Sequence, residues 1–347
     1  MTIPLNRRHF LQLLAGAGLL AGLPLPLRSL ASGSSFTPYT GPFFVSIEAA
    51  GGWDVTSFCD PKQNPAINHW ASTGTTQSIG GSSIQYAPFA HNQRFFTGLH
   101  QHMLVVNGID AQTNAHQAGQ RHNWSGRIAE GYPSFAALAA AVYGPGLPLA
   151  YLSNGGYNQT AGTINYVLMQ DPGALNKLVY QDQFLDAGSS WDAAKYFHRQ
   201  NTRDIIRRYQ AERLQRLQAA QPHMASRMQA AVEQFAQAKG NQDLLELLAQ
   251  YVPQTLVDYV DDDGYWNPLL RQAQIALAAY QSGLCVSTDL VCWGFDTHAN
   301  HDADHTAALR RLQNGVECLW AEAGRLGIDA RLVVMISSDF SRTPAYN

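Results

Sequence analysis

The chain has 347 residues, a formal net charge of −3 and only 14% charged residues. That length accommodates one large α/β domain or two smaller ones, with a sizeable core. A near-neutral balance without a basic stripe excludes a nucleic-acid partner recognised by charge. Beyond the N-terminus no apolar run is long enough to cross a bilayer, so no transmembrane segment is expected in the mature chain.

The N-terminus reads as an address. Asn6-Arg7-Arg8-His9-Phe10-Leu11 is a twin-arginine pattern, followed by an Ala- and Gly-rich apolar run to about Leu27 and small residues at Ser29-Leu30-Ala31. Residues 1–31 are expected to be a signal peptide for the twin-arginine export machinery. The mature protein would then be periplasmic or extracellular. An amphipathic first helix is the competing reading. The four cysteines, Cys59, Cys285, Cys292 and Cys318, match no zinc spacing. Small buried apolar residues are the simpler reading of them, with a disulfide as the alternative.

From residue 41 the chain reads as an α/β domain. Phe43 to Ile47 is a strand running into Gly51-Gly52-Trp53-Asp54, where the glycine pair marks a tight backbone approach. Residues 71–83 form a polar loop, and Met103 to Asn107 reads as a second strand. A loop with His116 and His122 follows. Phe135 to Tyr143 is an Ala-rich helix stopped by Gly144-Pro145-Gly146, and Leu149 to Leu152 is a strand. Residues 191–251 are helical in period and read as an insertion. Their recurring arginines suit either a solvated helix face or attraction of an anionic substrate.

The α/β pattern then returns. Leu269 to Gly283 is a helix, Cys285 to Val291 a strand, Leu309 to Leu326 a helix and Arg331 to Ser337 a strand. Strand, long helix, strand implies a parallel crossover, which brings Asp296 and Asp339 to one edge of the sheet. The fold class expected is a doubly wound, mostly parallel sheet flanked by helices. A parallel strand so close to Asn347, with no covering element after it, predicts that the natural protein continues further.

Ligands of open α/β sheets lie beyond the carboxyl ends of the strands. Asp296 and His298 stand two apart just past one such end, so both side chains can face one ion. Asp54 and Asp339 each follow another apolar strand. Three carboxylates in one pocket repel unless a cation offsets them, and the imidazole favours zinc, manganese or iron over magnesium alone, with zinc or manganese the expected ion. The metal ligands expected are therefore Asp54, Asp296, His298 and Asp339. Asp54 also suits a turn, and Asp296 a cap. His116 and His122 are candidate catalytic groups, each equally readable as structural. His301 and His305, four apart with Asp302 and Asp304, read as polar first-turn residues of a helix, with ligands at i, i+4 as the alternative.

Gly51-Gly52-Trp53-Asp54, the stretch with His116, Gln120 and Gly126, Gly294-Phe295-Asp296-Thr297-His298 and Ser338-Asp339-Phe340-Ser341-Arg342-Thr343 together resemble the bacterial family catalogued as domain of unknown function 1501, itself similar to alkaline phosphatases and sulfatases. The resemblance covers nearly the whole chain. It implies an alkaline phosphatase-like sandwich with one or two metals on Asp and His, acting on small anionic phosphate or sulfate esters. It also implies a nucleophilic hydroxyl just before His116. Alanine stands there, at position 115, and Thr113 is a neighbouring hydroxyl candidate. Two functions follow as expectations: an exported metal-dependent hydrolase, or a non-catalytic cell-envelope protein that keeps the fold and binds a metal or ligand. The substrate has no signature in the sequence.

Overall fold

The computed structural model describes residues 37–169, 182–184, 195–240, 247–248, 250–252, 260 and 264–343. The twin-arginine segment lies outside them. The centre is a five-stranded sheet in which every pairing is parallel. In chain order its strands are β1 (Phe43–Ala50), β2 (Tyr151–Ser153), β3 (Tyr166–Leu168), β4 (Ser287–Trp293) and β5 (Leu332–Ser337). Their spatial order is β3-β2-β4-β1-β5.

β1 therefore lies between β4 and β5. Ala50 pairs with Trp293 on one side, and Glu48 with Ser337 on the other. This register brings Gly51, Phe295 and Asp339 out at the same rim. Residues 45–50 of β1 and 287–292 of β4 are buried without interruption. That is the pattern of strands covered on both faces, although Ser46, Glu48, Ser287, Thr288 and Asp289 bring polar groups into it.

The α-helices described are α1 (Asn92–Leu99), α2 (His116–Ser125), α3 (Phe135–Tyr143), α4 (Gln200–Ala220), α5 (Ser226–Gly240), α6 (Pro268–Gln281) and α7 (His301–Arg325). Local chemistry sets their ends. Ser134 caps α3 by accepting the Ala137 N–H at 3.1 Å, and Gly144 stops it. Asn267 caps α6, with Pro268 at the first helical position, where its missing N–H costs nothing. Polar and charged residues fill α4, which buries none of its side chains. No helix among the described residues is long and apolar enough to cross a membrane.

One expected strand is absent. Residues 103–110 form no ladder, and Leu104 is 85% exposed. Valine and leucine give that segment strand character, but it pairs with none of the described strands, and propensity without a ladder does not make a strand. No disulfide joins the four cysteines, and burial pushes Cys285 and Cys292 up to about 12.

Candidate active site at the carboxyl rim of the sheet

The rim is organised by glycine backbone. Gly51 and Gly52 adopt φ of +120° and +79°, conformations that strain any side chain. A Cβ on Gly51 would collide with the Asp296 backbone, and one on Gly52 with the Phe340 ring. The turn turns both N–H groups inward, where Asp339 Oδ1 accepts them at 3.3 and 2.6 Å. Ser338 Oγ stands 2.9 Å from the same oxygen and accepts the Trp53 N–H at 3.0 Å. Asp339 is 1% exposed.

The other oxygen of Asp339 accepts the Nδ1 proton of His116 at 2.5 Å. His116 opens α2, whose Gly119 packs directly on the Asp339 carbonyl, leaving no space for a Cβ. With Nδ1 committed, Nε2 faces Asp296 Oδ1 at 3.6 Å. His298 Nε2 lies 3.0 Å from that same oxygen. Asp296 is half exposed and also accepts a 2.8 Å bond from Arg342, which holds its carboxyl below the usual range. Arg342 reaches the Gly51 and Phe295 carbonyls too, at 2.8 Å each, and so ties together the ends of β1, β4 and β5.

Asp54 belongs to a neighbouring cluster. It caps the short 3-10 turn Val55–Ser57, accepting from the Thr56 N–H at 2.9 Å, the Thr56 hydroxyl at 2.6 Å and Ser57 Oγ at 2.6 Å. His301 Nε2 lies 3.4 Å from its other side. Burial alone would raise Asp54, but the bonds from His301, Ser57 and Thr56 outweigh it and hold the carboxyl far below its ordinary value. His301 stacks on His305, with ring centroids 5.1 Å apart. His305 is fully buried, neither ring nitrogen closes a hydrogen bond, and burial pushes it down to about 4.

Of the four expected ligands, Asp296 and His298 are in direct contact, and His116 joins Asp339 to Asp296. Asp54 shares no hydrogen bond or ion pair with the other three. Among the described residues, no group of three His, Cys, Asp or Glu side chains stands preformed for a metal. His122 lies in the last turn of α2, and no hydrogen bond or ion pair joins it to this cluster. Thr113 accepts the Ala115 N–H at 3.1 Å in a local turn, and Ala115 occupies the N-cap of α2 without a side-chain bond. The sequence signalled His301 and His305 by their spacing and Arg342 by its motif. It gave no sign that Arg342 grips Asp296 or that His305 is buried.

The donor chemistry nonetheless fits a borderline divalent ion. Metal–N and metal–O bonds of about 2.0–2.2 Å place neighbouring ligand atoms roughly 3.4 Å apart, and the two imidazoles lie 3.0 and 3.6 Å from one Asp296 oxygen. Asp339 bonded to the far nitrogen of His116 is the carboxylate–histidine pairing that orients metal-binding imidazoles.

The family model described as Protein of unknown function (DUF1501) matches residues 44–347, and the chain belongs to that family. No curated protein and no solved structure matches the chain.

Proposed function

We propose that this protein is a metal-dependent hydrolase of phosphate or sulfate esters, of the alkaline phosphatase-like type, exported by the twin-arginine route to the periplasm or beyond. One observation carries the reading. His116 stands between two carboxylates, with Nδ1 2.5 Å from Asp339 and Nε2 3.6 Å from Asp296, and when Nδ1 carries the proton the Nε2 lone pair is turned toward the Asp296 carboxylate. Two lone pairs do not bond. A cation or a proton between them resolves the conflict, and His298 on the same oxygen supplies a third donor.

Asp296, His298 and His116 would hold the metal, zinc or manganese by donor type, with Asp339 fixing His116 from behind. Asp54 with His301 forms the adjoining half of the rim. A bound divalent ion supplies Lewis-acid polarisation of the ester oxygen. The chain's own residues do the rest. Arg342 holds Asp296 in place, and Gly51 and Gly52 fix Asp339 through their backbone. Half-exposed His116 and exposed His298 leave the site open to a small anionic substrate. Ala115 offers no hydroxyl, so water is the expected nucleophile.

Ala115 also favours a second reading, a cell-envelope protein that binds a metal or ligand without turnover. A panel of aryl phosphates and sulfates separates the two. Metal-loaded full-length protein should release the aryl alcohol from at least one, and His116→Ala should abolish release. Metal binding with no ester cleaved by the wild type would establish the binding protein instead.

A further inference from the structure

The near-neutral balance of the whole chain hides a segregation of charge. Residues 195–240 carry nine Lys and Arg against three Asp and Glu, a surplus of six in a chain whose formal balance is −3, which leaves a deficit of nine on the rest. The centre of this basic stretch is α4, which over 21 residues buries no side chain. At about 1.5 Å per residue it is roughly 30 Å long. The chain then turns at Gln221–His223 into α5, and the Gln221 side chain donates to Glu233 at 2.6 Å, so the two helices form a hairpin.

A helix face that serves solvation alone turns polar groups outward. On α4 the outward groups are mixed. At about 100° per residue, Ile205, Ile206, Tyr209, Arg213 and Arg216 fall within one arc about 100° wide, and no Asp or Glu falls within it. All five are exposed. Tyr196 and Phe197, just before the helix, are exposed too, at 47% and 60%. Asp182 offsets Arg203 and Arg207, at 3.4 and 3.6 Å. Arg199, Arg208, Arg213 and Arg216 are exposed and pair with no carboxylate among the described residues. Arg208 instead lies over the Tyr209 ring, 5.5 Å from its centroid.

We propose that α4 and the residues leading into it dock on an anionic phospholipid surface. Unpaired arginines attract the headgroups, aromatic rings suit the boundary between headgroup and acyl chain, and the two isoleucines reach the apolar layer. A site for a small anion would gather the arginines at one point. Here they are spread along a helix roughly 30 Å long, which fits a plane. A soluble polyanion would meet the arginines and leave Ile205, Ile206 and Tyr209 in water. The acidic remainder of the chain is repelled by the same surface, so α4 also sets the orientation of docking. The surface is independent of the hydrolase reading.

The test is hydrogen–deuterium exchange of the full chain, read in peptides spanning Tyr196 to Leu217. Vesicles of equal parts phosphatidylglycerol and phosphatidylcholine should slow exchange there by about threefold or more. Phosphatidylcholine vesicles alone should not, and about 1 M salt should remove the protection, since the screening length is then only about 3 Å. A readout confined to α4 cannot be mimicked by the apolar N-terminal segment. Arg213→Glu with Arg216→Glu should abolish the protection while circular dichroism stays that of the wild type. Ile206→Ser with Tyr209→Ser, a second exposed pair, should lower it at unchanged charge. No protection by the anionic vesicles, equal protection by phosphatidylcholine alone or by the soluble polyanion heparin, or protection that survives the arginine changes would overturn the proposal. So would a salt-sensitive dimer formed through α4 without vesicles, which would put a second copy on this face.

Discussion

His116 and Asp339, 223 positions apart in the chain, share a 2.5 Å hydrogen bond that fixes which nitrogen of the imidazole faces the solvent side of the rim. Asp339 is itself immobilised by the N–H groups of Gly51 and Gly52. Replacing it by Asn keeps an acceptor for the glycines but turns an NH2 donor toward His116 Nδ1, which moves the ring proton to Nε2 and removes the lone pair there. Outer-sphere changes of this kind weaken metal binding by about 10–100-fold. Asp339→Asn should show that loss by titration with zinc while its far-ultraviolet circular dichroism stays that of the wild type. Unaltered zinc affinity would remove Asp339 from any orienting role.

Arg342 is the hub of the rim, with one nitrogen serving two carbonyls and the Asp296 carboxylate. Its planar fork is not reproduced by lysine. Arg342→Lys is expected to lower stability by about 1–3 kcal/mol, the cost of buried acceptors left unserved. It should also raise the Asp296 carboxyl toward its ordinary value, because the arginine bond is the main influence holding it down. Urea denaturation and the Asp296 carboxyl resonance read the two effects separately.

Gly119 sits where α2 crosses the Asp339 carbonyl, with no room for a methyl group. Gly119→Ala must push the helix away and carry His116 with it. Overpacking of this kind costs about 1–3 kcal/mol. The sharper expectation is functional: loss of zinc affinity larger than in Gly324→Ala, where a Cβ meets nothing within 4 Å.

Much of this arrangement is legible in the sequence. Val333-Val334-Met335-Ile336 is short, β-branched and followed by Ser-Ser-Asp, which marks both a parallel strand and the rim where it ends, although the strand lies half-buried at the sheet edge. Ser134 and Gly144 bracket a helix that is found where they place it. What is not legible depends on partners. Met103 to Asn107 has strand chemistry, yet local pattern cannot say whether an edge awaits it. The spacing of His301 and His305 places them on one helix face, but only packing against Phe295 and Phe89 makes His305 a buried neutral ring. Asp339 reads as a metal ligand by its place after a strand. That it spends one oxygen on two glycine amides follows from β1 lying beside β5, a pairing no local signal encodes.

Asp289 gives a pH signature. Burial is the largest influence on it and raises it from 3.8 to about 7. A carboxyl raised in the folded state binds more protons folded than unfolded, so its contribution is fully present below about pH 4 and is lost as pH rises through 7. A gap of about three pH units corresponds to on the order of 4 kcal/mol. Asp289→Asn should flatten the fall in stability between pH 4 and pH 7. An unchanged slope would mean that Asp289 titrates alike in both states.

The central claim is that Asp296, with the two imidazoles on its oxygen, holds a divalent metal. Metal analysis of the full-length protein by plasma mass spectrometry, wild type beside Asp296→Ala, tests it most directly. Asp296 is half exposed, so the variant should remain folded. The wild type should carry about one zinc or manganese ion or more per chain, and Asp296→Ala should lose it. A wild type that takes up neither metal, or a folded variant with undiminished content, would contradict the account.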